Sequence, residues 1–241
     1  MVVIPARYGS TRLPTKPLAD INGKPMIQWV YERAKKTRGI ERVIVATDHE
    51  KIESAVKNFG GEVMMTSSEL KSGTDRVAAV ADQVSGEIFV NVQGDEPLIE
   101  GPVIEKGIAL VQSGKFPMAT VMTLLRTTQE LDDPSVVKVI ADDTGRAVYF
   151  SRFAIPYSRG LRPETGKPFV CFRHVGLYIY TRETLARFRS LPVSALEQAV
   201  VLEQLIALQN GIPIGITEVD FISIGVDTQD DLEKVRGILN G

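Results

Sequence analysis

Short apolar runs alternate with amphipathic stretches along most of this chain. Val2, Val3 and Ile4 form the first run, residues 42–47 (RVIVAT) the second, residues 62–65 a short third and residues 88–92 a fourth. Runs of this length bounded by turn residues read as buried strands. Between them, Met26, Ile27, Val30 and Ala34 recur at helical spacing after Pro25. Residues 50–59 form a second helical stretch stopped by Gly60-Gly61, and Val77, Ala78, Val80 and Ala81 follow a Ser72-Gly73-Thr74 start. Residues 102–113 complete the series. Strand and helix in alternation predict an α/β fold with a mostly parallel central sheet and helices on both faces.

The second half departs from that rhythm. Residues 118–125 read as a strand, but residues 136–140 and 147–150 flank Asp142-Asp143-Thr144-Gly145 and predict a hairpin, a small antiparallel insertion. A loop over residues 157–169 follows, too long to be an ordinary connection. Residues 172–180 predict a strand, 182–189 a helix, and 197–210 (EQAVVLEQLIALQN) one continuous amphipathic helix ending at Gly211. Within it, Glu203 or Gln204 should approach the sheet. Residues 214–219 predict another strand, and residues 222–226 carry the chain to Asp227, expected at a strand end. Thr228 is placed to cap a last helix over residues 230–239. No repeat or linker divides residues 1–241, so one domain is expected.

Composition narrows the class. At 241 residues with 24% charged and 44% hydrophobic, the chain is an ordinary globular sequence. A net charge of −2 gives no general attraction to nucleic acid, so any basic site is local. The single cysteine, Cys171, excludes an internal disulfide and suits a reducing compartment. No apolar run approaches the roughly 20 residues that span a bilayer, and no leader pattern opens the chain. A cytoplasmic location is expected.

Chemistry concentrates in the first loop. Arg7, Arg12 and Lys16 follow the first strand with no acid before Asp20, among Gly9, Ser10, Thr11, Pro14 and Pro17. Cations and free backbone amides at the carboxyl end of a first strand suit a polyanion, here a nucleoside triphosphate. Neither a Walker A loop nor a G-x-G-x-x-G fingerprint is present. The Ser72-Gly73 helix start offers amides to a base or phosphate. Asp95, after the strand at 88–92, suits magnesium, which favours one or two carboxylates with phosphate oxygens. Arg173 and His174, joined by Arg152, could grip a carboxylate.

Several motifs together resemble a known family. IPARYGSTRLPTKPL (4–18), SGTDR (72–76), VNVQGDEP (90–97), YFSR (149–152), FRHVGLYIY (172–180), LEQL (202–205) and GVDT (225–228) are similar to the CMP-Kdo synthetases. These are the 3-deoxy-manno-octulosonate cytidylyltransferases among the sugar nucleotidyltransferases. The resemblance implies a Rossmann-like fold, usually a homodimer, and formation of CMP-Kdo and pyrophosphate from CTP and Kdo for lipopolysaccharide synthesis. It implies that Arg7, Ser10, Arg12 and Lys16 hold the triphosphate and that Ser72, Gly73, Arg76 and Gln93 recognise the cytidine. It further implies that Asp95 and Asp227 hold Mg2+, with Lys16, Arg12 and the two aspartates as the catalytic set. Arg152, His174, Tyr178, Glu203 and Gln204 would line the sugar pocket, the carboxylate meeting Arg152 and His174. No general base is evident. The family's first loop commonly reads L-P-G-K-P, and Thr15 stands here for the glycine, where a positive φ would strain a β-branched residue. Two rivals remain: activation of another sugar acid, such as an amino derivative of Kdo or a sialic acid, and a non-catalytic nucleotide-binding module.

Overall fold

The computed structural model describes residues 1–9, 13–157, 171–192, 194–221 and 224–240. The predicted first strand is β1 (Val2–Ala6), followed by a 3-10 turn at Lys16–Leu18 and a small hairpin of β2 (Asp20–Ile21) and β3 (Lys24–Pro25). Asn22 and Gly23 turn that hairpin with φ of 53° and 82°, the conformation that two-residue hairpin loops need. Then come α1 (Met26–Ala34), β4 (Val43–Thr47), α2 (Glu50–Asn58), β5 (Glu62–Met65), α3 (Gly73–Ala81), β6 (Ile88–Val92), α4 (Gly101–Gln112) and β7 (Met118–Leu124). Among the described residues there follow α5 (Thr128–Asp132), β8 (Lys138–Ala141), β9 (Ala147–Ser151), β10 (Phe172–Thr181), α6 (Arg182–Arg189), α7 (Ala195–Val200), α8 (Gln204–Gln209), β11 (Ile214–Glu218) and α9 (Gln229–Leu239).

One nine-stranded sheet organises these elements in the order β11-β7-β10-β6-β1-β4-β5, with β8 on β10 and β9 on β8. The pairs β6-β1, β1-β4, β4-β5 and β11-β7 are parallel. Period-two alternation assigns the faces. Val2, Ile4, Val43, Val45, Val90 and Val92 pack with α1, α2, α4 and α9, whereas Val3, Ile44, Ala46 and Phe89 pack with α3, α6 and α8. β10 runs antiparallel to β6, β7 and β8, since it returns from the β8–β9 hairpin rather than through a crossover helix.

Two expectations are corrected. The helix expected over 197–210 is two short ones, α7 and α8, parted at Val201, whose φ of 56° and ψ of 54° are left-handed. In a continuous helix the carbonyls of Val200 and Val201 would accept amides four residues on. Here they accept from Arg152 Nε at 2.7 Å and Nη2 at 3.0 Å instead. The break sends Val201 outward, 67% exposed, and sinks Leu202 into the core. Asp227, expected at a strand end, lies on an irregular segment that is tied to the β6 end by Val226 N–H donating to Asp95 O at 2.9 Å. Among the described residues no helix is long and apolar enough to cross a membrane.

Candidate active site

The carboxyl ends of β1 and β6 meet at a glycine. A Cβ on Gly94 would stand 2.9 Å from Pro5 O, so only glycine lets these two ends approach so closely. Asp95 follows at once. On the β1 side, Thr15 adopts φ 54° and ψ 29°, and Leu18 N–H closes on Thr15 O at 2.8 Å to form the 3-10 turn that aims Lys16. Lys16 Nζ donates to Asp95 Oδ2 at 2.6 Å and to Asp227 Oδ1 at 2.9 Å. Burial works against this ammonium's charge, but the two carboxylates outweigh it and its pKa ends above the ordinary lysine value. Asp227 is oriented by α9, where Thr228 caps the helix and Asp231 accepts from Asp227 N–H at 3.3 Å.

This Lys16-centred triad stands where two cavities join. The first, of about 510 Å³, has Arg7, Lys16, Ser72, Gly73, Arg76 and Gln93 in its wall. Ser72 caps α3 through a reciprocal pair with Asp75. Gly73 lies flat against the β1 end, where a Cβ would come 3.3 Å from Pro5 Cγ. The second cavity, of about 680 Å³, is lined by Arg152, Arg173, His174, Tyr178, Glu203 and Gln204. Gln93, Asp95, Val201, Glu203 and Asp227 belong to both walls. A single cleft therefore has two adjoining compartments, with paired carboxylates at the junction.

Known proteins share this sequence and this fold. The cytidylyltransferase family model matches residues 1–217. The chain is 49% identical to a 3-deoxy-manno-octulosonate cytidylyltransferase of Geobacter sulfurreducens, over 97% of this chain and 96% of that one. It is 48% identical to the enzyme of the same name from Syntrophotalea carbinolica, over 99% and 98%. A solved structure of CMP:2-keto-3-deoxy-manno-octonic acid synthetase complexed with CTP superposes with a TM-score of 0.90 at 44% identity, covering 99% of this chain and 97% of that one. The chain belongs to the 3-deoxy-manno-octulosonate cytidylyltransferases. It is a nucleotidyltransferase with their fold.

Within this cytidylyltransferase the expected site residues take distinct positions. Ser10 and Arg12 lie outside the described residues. Arg7, Lys16, Ser72, Gly73 and Gln93 come together in the first cavity, where Gln93 Nε2 donates to Asn91 Oδ1 at 3.2 Å. Arg76 reaches the wall but is 3% exposed and heavily engaged. Its Nη2 pairs with Asp48 Oδ2 at 2.5 Å, and Nη1 donates to Thr66 Oγ1 at 2.7 Å and Ser67 O at 3.2 Å. Asp48 Oδ1 in turn accepts from Tyr8 N–H at 3.2 Å, so Arg76 braces the first loop from beneath.

In the second cavity Arg173 and His174 do not converge as a cation pair. Adjacent strand residues face opposite ways: Arg173 pairs with Glu130 at 3.2 Å, while His174 sits among Phe150 and Tyr178. Thr120 Oγ1 donates its one proton to Leu177 O at 2.6 Å and so accepts from His174 Nε2 at 2.8 Å. That leaves Nδ1 as an acceptor. Burial, then the charge of Arg173, pushes His174 down to about 3. A neutral ring with an acceptor nitrogen suits a hydroxyl donor. Tyr178 donates to Gln204 Oε1 at 2.9 Å, and Gln204 Nε2, in a side chain 2% exposed, is a buried donor without a partner. Burial pushes Glu203 up to about 7 despite hydrogen bonds with Ser72 and Thr74. No spacing in the sequence signalled that titration, nor the Asp48–Arg76 brace, because both depend on neighbours distant along the chain.

Proposed function

We propose that this cytidylyltransferase forms CMP-Kdo and pyrophosphate from CTP and Kdo. The carrying observation is the meeting of Asp95 and Asp227 on Lys16 Nζ, at 2.6 and 2.9 Å, where the two cavities join. The first cavity takes CTP: the Ser72 cap and the close-packed Gly73 receive the cytidine end, and Arg7 and Lys16 face the triphosphate. The second takes the sugar acid. Arg152 supplies the cation for its carboxylate, while His174 Nδ1, Gln204 Nε2 and Glu203 supply acceptors and donors for its hydroxyls.

The acidic pair fits Mg2+. Two carboxylate oxygens already reach one cation, and the adjoining triphosphate would complete an all-oxygen set of the kind this ion prefers. When bound, the ion neutralises charge on the transferring phosphoryl group and acidifies a nearby hydroxyl. Asp95 and Asp227 would hold it, and Lys16 lines the first cavity beside them. There the lysine neutralises the departing pyrophosphate. The anomeric hydroxyl attacks the α-phosphorus in line, and positioning rather than covalent catalysis carries the rate.

The same reading includes a cytoplasmic homodimer. β9 is an edge strand with Val148 51% and Tyr149 37% exposed, and Phe153 and Tyr157 beyond it are 84% and 90% exposed. An apolar edge of this kind is a surface that proteins cover. Pyrophosphate release with CTP, Mg2+ and a panel of sugar acids tests the reaction. Release with Kdo well above that with its amino derivative or a sialic acid supports the reading; preference for another acid replaces Kdo by that substrate.

A further inference from the structure

Lys138 lies in β8 and is completely buried. Its Nζ donates to Asp133 O at 2.6 Å and to Arg152 O at 3.1 Å. Directly across the ladder stand Arg173 on β10 and Ser151 on β9. A buried ammonium beside a second cation is costly, and an apolar residue would fill the strand position at lower cost. Burial lowers the pKa of Lys138 in spite of Asp133 and Asp132, and Arg173 lowers it further. None of the roles described so far uses this residue.

Its partners all border the second cavity. Asp133 and Arg152 both line it. The Arg152 guanidinium donates through Nη1 to Pro134 O at 3.0 Å, and through Nε and Nη2 to the carbonyls of Val200 and Val201. The bonds close a ring: Lys138 holds the main chain of Arg152 and the carbonyl of Asp133, and the Arg152 side chain holds the next carbonyl, that of Pro134. The same guanidinium fixes the turn that leads into Glu203 and Gln204.

We propose that Lys138 is a positioning residue for the sugar-acid compartment, setting the main chain from which Arg152 projects. Its two hydrogen bonds fix the Arg152 backbone and the 133–134 turn against each other, so the guanidinium meets the acceptor at a defined place. The role rests on the reading of Arg152 as the sugar-acid contact. Lys138 itself need not touch substrate.

The test compares Lys138→Met, Lys138→Gln, Arg152→Gln and the Lys138→Met/Arg152→Gln double variant by pyrophosphate release, titrating CTP and the sugar acid separately. Circular dichroism checks the fold of each. Lys138→Met should raise the KM for the sugar acid about tenfold while KM for CTP stays within about twofold. Lys138→Gln, which keeps a donor, should recover part of the loss and supplies the measurement if the Met variant does not fold. The double variant should be no worse than Arg152→Gln alone, as expected of residues acting as a unit. Equal loss for CTP and sugar acid, or additive losses in the double variant, would overturn the role. If Arg152→Gln leaves the sugar-acid KM unchanged, the reading of Arg152 fails. If only the Lys138 variants leave it unchanged, this inference alone fails.

Discussion

Arg152 Nη2 donates to the carbonyl of Val201 at 3.0 Å, and Val201 itself is held at φ 56°. A cavity-lining arginine thus stabilises a left-handed break in what the residue pattern reads as one helix. A β-branched residue in this conformation costs about 1–2 kcal/mol. Val201 is exposed, so its side chain returns little of that cost.

Replacing Val201 by glycine should therefore stabilise the protein by about 0.5–1 kcal/mol, measured by denaturant unfolding. A loss of stability would show that Val201 packs in a way its exposure does not reveal.

Thr15 presents the same case in the first loop, with φ 54° in the turn that aims Lys16. Thr15→Gly should raise stability by about 1 kcal/mol, read from the unfolding midpoint. Pyrophosphate release should persist, because the turn geometry is retained.

Arg76 separates bracing from ligand contact. Arg76→Met leaves Asp48 without its guanidinium, and removing one partner of a buried pair costs about 3–5 kcal/mol. Thermal unfolding should register that loss in the absence of any nucleotide. A variant with unchanged melting and a raised KM for CTP would make Arg76 a ligand contact instead.

Glu203 governs the pH dependence. Burial raises its pKa from the ordinary carboxylate value of 4.5 to about 7, so between those values the folded chain keeps a proton that the unfolded chain has released. Stability attributable to this group is fully present below the lower value and falls as pH rises through about 7. Glu203→Gln removes that dependence and should gain about 2 kcal/mol at pH 8 relative to pH 5. The sugar-acid KM should lose an inflection near 7 in this variant. His174, held neutral down to about 3, contributes none there, and a surviving inflection would reassign the titration.

Much of the fold was legible because it is local. The alternation of apolar runs with helical spacing placed the strands and helices of the first half, and Ser72 and Thr228 marked helix starts that carry capping boxes. The hairpin turn at Asp142 to Gly145 announced β8 and β9. The break at Val201 was not legible, since residues 197–210 are amphipathic at helical period and the arginine that satisfies its carbonyls lies about fifty positions earlier. The candidate site residues were assigned largely through motif resemblance. Their electrostatics were not, because the neutrality of His174 arises from packing among β7, β9 and β10 and the raised Glu203 from burial against the start of α3. The backbone bond from Val226 to Asp95, which brings Asp227 to the site, joins segments with no periodic signal between them.

The carboxylates on Lys16 are proposed as the catalytic metal site at the junction of the two cavities. Pyrophosphate release by Asp95→Asn, with CTP, Mg2+ and Kdo, tests it most directly, with circular dichroism to establish the fold. The expected result is a folded protein whose turnover falls at least about a thousandfold, on the order of 4 kcal/mol of transition-state stabilisation. Turnover within a few-fold of the parent enzyme would contradict it.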